Sequence, residues 1–316
     1  MERIEIPSHA TYSPVALTDL MVGAPLASRL LLGAVLPGQV VSASVLGLYL
    51  GSAAQDWVAR SGIRPIDFQE EFGVDVDTLE PMTEEARRWE VRLLGNAMNE
   101  DWTPRRIPRL RLAQLVNQHL TAYIARITEQ EIVTSSEVRS FTLARWVLPF
   151  AGGTYDMVSG DVAIFEDHGV FEPHVIAHEF VHRKGYGKEL HAQVLAYLAM
   201  RASGDPVLIQ AGRAERLSRQ LSVLAGGSAA RFLEALELAC LRPELRGIIG
   251  QVCPADDEGR ARIRDRISDG MRALYDQRMR LSGQNGLSDY DEGFTNFLWT
   301  FTHSEQARQP REHAAI

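Results

Sequence analysis

Between Pro173 and Met200 the chain reads PHVIAHEFVHRKGYGKELHAQVLAYLAM, and no other stretch restricts the fold so strongly. It holds His174, His178, His182 and His191 together with Glu179 and Glu189. Pro173 suits the first turn of a helix, where its missing N–H would have no partner anyway. In such a helix His178 and His182 stand four apart on one face, so both imidazoles can reach a single tetrahedral zinc. Glu179 lies beside the first of them and points at the open coordination position. A carboxylate there can take a proton from water that the metal has acidified to a pKa of about 7. This is the HExxH arrangement.

The bare pattern arises by chance in many helices, so its surroundings matter. Val175, Ile176, Ala177, Phe180 and Val181 are apolar and would bury the helix around its histidines. Gly185 and Gly187 then interrupt the helix and let the chain turn into a second one beginning near Lys188. That helix offers Glu189 or His191 as third ligand; two apart, they face different directions, and only one is expected to bind. His191 is the expected choice. His174 is too far, since eight residues before His182 means about 12 Å along a helix. It reads as a rim residue or one that supports a ligand, or as an exposed first-turn histidine. The interval from the HExxH helix to His191 is longer than in metzincins and fits a ligand on a returning helix, as in gluzincins.

The remainder sets boundaries on class. At 316 residues the chain can bury a large core. A net charge of −8 argues against nucleic-acid binding, which needs a basic surface. The two cysteines, Cys240 and Cys253, form no CxxC and no disulfide framework. No signal peptide is expected from MERIEI, which leaves a cytoplasmic or membrane-associated location. Leu30 to Ala54 carries no charged residue. Pro37-Gly38-Gln39 favours a pair of short helices there, buried or lying against a membrane, over a true span, which takes about 20 residues. A helix should open at Thr83, another should run from Arg111 to Ile132, and glycine-punctuated strands should fill the passage from Trp146 to Pro173. The expected fold is therefore mostly α with a small β element (α+β), built on the HExxH helix and a following ligand helix. The expected divisions are 1–80, apolar and possible membrane contact; 81–305, metal-binding; and 306–316, a polar tail.

HEFVHRKGYGKELHAQVLAYLAMRASGDP resembles the core of an uncharacterised bacterial zincin-like family, mostly membrane-associated. That family's pattern is HExxHxxGxxxExEAxxLAYLA followed by a Ser-Gly-Asp-Pro turn. WVLPFAGGTYD (Trp146 to Asp156) is similar to its Pro-Phe segment, and Ala273 to Phe301 resembles its closing Tyr-containing element. Together these cover 140–305. The resemblance implies a zinc-peptidase-type fold with His178 and His182 as ligands and Glu179 as catalytic carboxylate, and it extends to Glu189. It departs where the pattern has a glutamate and this chain has His191; a third neutral imidazole would leave the metal more positive. Tyr290, in the matching Ser-Asp-Tyr element, is a candidate oxyanion donor or a buried structural tyrosine. Tyr155 and Asp156 either line the cleft and orient a ligand or form an ordinary turn.

Three functions stand at this point. The first is a zinc-dependent hydrolase of metallopeptidase type acting on a peptide or amide, with metal at His178, His182 and His191 and with Glu179 and Tyr290 as catalytic residues. The second is a metalloenzyme acting on a small molecule, with Fe2+ at a three-histidine site. The third is a structural, membrane-associated protein with an inert HExxH. Oligomeric state is not legible.

Overall fold

A computed structural model describes residues 1–7, 17–32, 36–139, 152–156, 160–165, 167–253, 273, 276–277, 279–281, 284, 286 and 288–303. Helices dominate, with two small two-stranded sheets. The segment from Trp146 to Ala151, the acidic run 256–258 and the tail from 304 onward lie outside the described residues. Contacts divide the chain into two compact units, each made of separate segments of the sequence.

The first unit comprises Met1–Pro65, Ile107–Asp167 and Val175–Gly187. The uncharged stretch is shared between two packed helices, α1 (Leu17–Leu32) and α2 (Leu36–Arg60). No helix among the described residues is long and apolar enough to cross a membrane, which corrects the span considered for Leu30–Ala54. Helix α2 is 25 residues long, but Pro37, Gly38, Gln39 and several Ser and Gly within it dilute its apolar side chains.

Strand β1 (Glu2–Glu5) pairs in parallel with β2 (Gln130–Val133), Ile4 opposite Ile132. The helix expected over 111–132 is therefore shorter. The helices α3 (Phe68–Phe72) and α4 (Glu84–Glu100) precede it in the second unit, and it runs as α5 (Arg109–Thr128). It stops at Glu129, whose φ of 57° is left-handed, and the β-branched Ile132-Val133 pair continues as strand. Strands β3 (Gly153–Tyr155) and β4 (Val162–Ile164) form an antiparallel hairpin. A Cβ on Gly153 would come within 3.0 Å of both Ile164 and Val175. Glycine thus lets the hairpin lie close against α6 (Glu172–Arg183), the helix with the two HExxH histidines.

The second unit comprises Ile66–Arg106, His168–His174 and Lys188–Ile316. Its helix starts follow local chemistry. Thr83 accepts from Ala86 N–H to open α4, and Asp205 accepts from Val207 N–H with Pro206 at the first position. Such caps satisfy amide groups that a helix start leaves without partners. In order come α7 (Glu189–Ala202), α8 (Pro206–Ala225), α9 (Ala229–Leu238), α10 (Pro243–Ile249) and α11 (Phe294–His303). Val91, Leu217, Leu221, Phe232 and Leu245 are core residues shared by α4, α8, α9 and α10. Within this apolar set lies a charged one: Arg216 and Glu90 form an ion pair, Gln220 donates to Glu90, and Arg87 donates to Gln220, Thr295 and Asn296 at 2.6–2.8 Å. A π-helical turn, Asp289–Gly293, leads into α11.

Candidate metal centre

Helix α6 buries Ile176, Ala177, Phe180 and Val181, which fixes its rotation and directs the other face inward with its histidines. His178 and Glu179 are each 7% exposed, and His182 is half-buried. The Nε2 atoms of His178 and His182 lie 3.1 Å apart. His182 Nδ1 sits 2.9 Å from the carbonyl oxygen of Tyr186. A carbonyl can only accept, so Nδ1 carries the proton and Nε2 keeps its lone pair. The Tyr155 ring stacks loosely on His182 at 6.4 Å, and the Arg60 guanidinium lies 5.3 Å over Tyr155. Tyr155 therefore lies between Arg60 and one of the two candidate ligand histidines.

The end of α6 is anchored by two consecutive buried cations. Arg183 donates to the carbonyls of Gly160, Ser135 and Glu137 at 2.7–3.0 Å. Lys184 Nζ donates to Ile132 O at 2.7 Å and Thr121 Oγ1 at 2.8 Å. Burial, with Arg183 adding to it, pushes the Lys184 pKa down to about 7. Cations also complement the partial negative charge of a helix C-terminus. Nothing in the local pattern HRKG signals this anchoring.

The turn after α6 uses one of the two glycines. Gly185 has φ of 100°, and a Cβ there would approach Ile63 Cδ1 to 2.8 Å. A Cβ on Gly187 would meet nothing within 4 Å. We expect Gly185→Ala to destabilise the protein by about 1–2 kcal/mol from the left-handed conformation alone. It should also shift the Tyr186 carbonyl off His182. Gly187→Ala should be nearly silent, and urea titration of the two variants makes the comparison.

His178, His182 and Glu189 each offer one ligand atom, and these atoms all lie within 4.8 Å of one another. Among the described residues this is the group that could hold a metal ion, and it contains Glu189 but not His191, the expected third ligand. The His191 ring instead stacks on Phe68, centroids 4.0 Å apart and planes 17° from parallel. Burial and the neighbouring Lys188 push its pKa down to about 4, so it packs as a neutral ring. Glu189 opens α7, and its N–H donates to the Gln284 side-chain oxygen at 2.9 Å. Gln284 lies in the Ser-Gly-Gln-Asn-Gly stretch that reads as a mere turn.

His174 is 2% exposed, which corrects its reading as an exposed first-turn residue. Its Nδ1 is 3.9 Å from the buried Glu215 carboxylate, which Arg219 holds at 2.7 Å while also contacting Asp291 at 2.9 Å. Tyr290, the expected oxyanion donor, lies against Arg219, whose guanidinium is 6.0 Å from its ring. Sequence reading passed over Glu215, Arg219 and Asp291; only the four-residue spacing of the first two was visible as a helical ion pair. No family model, no curated protein and no solved structure matches this chain.

Proposed function

We propose that this protein is a metal-dependent hydrolase of metallopeptidase type, with a zincin-like core. His178, His182 and Glu189 hold a divalent metal, zinc in the first instance, and Glu179 is general base. The observation that carries this reading is the approach of the two Nε2 atoms to 3.1 Å. Two nitrogens bound at 2.0–2.1 Å in a tetrahedral shell stand about 3.3 Å apart. The Tyr186 carbonyl on His182 Nδ1 is the kind of outer contact that orients a metal-binding imidazole. A bound zinc would polarise a peptide or amide carbonyl and acidify water.

The chain's own groups account for the rest. Glu179 is next to His178 in sequence and nearly excluded from solvent, so its carboxylate can accept the proton of an attacking water and pass it to the leaving nitrogen. Tyr290 enters the proposal as the phenol that donates to the developing oxyanion. A second reading is favoured by the ligand set itself, because two histidines and one carboxylate also suit Fe2+ in small-molecule oxidation chemistry. The three-histidine version of that alternative draws no support from His191, whose ring stacks on Phe68.

Metal analysis of the purified chain tests both. One equivalent of zinc supports the hydrolase, iron supports the second reading, and absence of any retained metal after loading removes both. Glu189→Ala should lower zinc affinity beyond the 10–100-fold typical of outer-shell changes, about 100-fold or more. His191→Ala should leave it unchanged, and the reverse result would reassign the third ligand.

A further inference from the structure

We propose that Gln284 is a positioning residue for the third ligand, holding Glu189 in place through its backbone. The proposal rests on Glu189 as a ligand of the metal centre proposed for this chain. Glu189 is the first residue of α7, and its N–H donates to Gln284 Oε1 at 2.9 Å across 95 residues of sequence. A helix start leaves its first amides without partners inside the helix. A local capping side chain serves the second or third helical residue. Lys188, at the capping position, makes no such bond. The acceptor for the Glu189 amide therefore comes from elsewhere in the fold. It grips the residue whose carboxylate belongs to the group that could hold a metal.

Gln284 is itself held on both sides. Its N–H donates to the carbonyl of Met279 at 3.1 Å, and Met279 is 3% exposed. Two residues after Gln284, Gly286 has φ of 83°, a left-handed conformation that favours glycine. A Cβ there would run into Asp276 Oδ1, and the Asp276 carboxylate accepts from Arg280 Nε at 2.8 Å. Glycine thus lets the chain pass close beside the Asp276–Arg280 pair. Gln284 reaches α7 from a backbone fixed before and after it. All of these residues belong to the second unit. Glu189 is 6% exposed, so its side chain has little room to compensate for a shift of the backbone that carries it. Withdrawing the Gln284 oxygen would release that backbone at the first turn of α7.

The test measures zinc affinity of the full chain by competition with a chromophoric chelator and needs no activity assay. Gln284→Met removes the acceptor at nearly constant size and should weaken zinc binding about 10- to 100-fold, as the loss of an outer partner of a ligand does. Gln284→Glu keeps an acceptor oxygen and should bind zinc at least as tightly as wild type. In the Glu189→Ala background, Gln284→Met should have no further effect, because its route to the metal is gone; the comparison is a double-mutant cycle. Should Gln284→Met not fold, Gln284→Asn, whose shorter side chain draws the oxygen back, takes its place in the cycle. Equal zinc affinity in wild type and Gln284→Met overturns the proposal while leaving the metal centre standing. So does an equal loss in both backgrounds, which would mean that Gln284 acts by a route other than Glu189. If the wild-type chain retains no zinc, or Glu189→Ala binds it normally, the reading of the centre fails first and this proposal with it.

Discussion

Glu179→Gln is expected to retain zinc at the wild-type stoichiometry and to lose peptide or amide hydrolysis by about 100- to 10,000-fold, the usual worth of a positioned general base. The amide is nearly the shape of the carboxylate but cannot take up a proton at neutral pH. His178 and His182 are untouched by the change, so the pair 3.1 Å apart remains to bind metal. The measurement is a fluorogenic peptide and amide panel run on zinc-loaded protein, with metal content determined on the same samples. Hydrolysis that survives in the Gln variant would remove Glu179 from its assigned role. Loss of metal along with activity would make Glu179 a structural support for the site instead.

The second large effect concerns stability. Glu90 and Arg216 form an ion pair that is 3% and 7% exposed, and Arg216 otherwise reaches the Tyr197 hydroxyl at 3.1 Å. Removing one partner of such a pair leaves an uncompensated buried charge and costs about 3–5 kcal/mol. Glu90→Leu should therefore lower the denaturant midpoint strongly, and Arg216→Met should do so by a similar amount for the mirror-image reason. The double replacement Glu90→Leu with Arg216→Met should recover most of the loss, since well-packed apolar side chains can replace a buried ion pair at little cost. Urea titrations of the four proteins form a double-mutant cycle. Additive losses would mean that the two side chains do not act as a pair.

How much of this was legible varies by residue. The start of α6 at Glu172, beside Pro173, the cap at Asp205 before Pro206 and the start of α4 after Thr83 follow from chemistry within one helical turn. The same holds for the four-residue interval that puts His178 and His182 on one face. The parallel pairing of β1 with β2 was not legible, because Glu2–Glu5 is a short, mixed-charge segment whose partner lies more than a hundred residues away. The buried carboxylate beside His174 was hidden too, because Glu215 belongs to a different helix, outside the reach of any local pattern.

The sequence by itself determined the composition of the centre: two imidazoles one turn apart, a neighbouring carboxylate, a glycine break and a second helix carrying a Glu and a His. Only the tertiary structure shows the His178, His182 and Glu189 ligand atoms within 4.8 Å of one another and His191 stacked on Phe68. Within its own unit α7 is held by Gln284 on its first N–H and by the face of Phe68 on which His191 rests. A periodic pattern specifies which residues share a helix face; it carries no information about where that face points, which distant packing alone supplies.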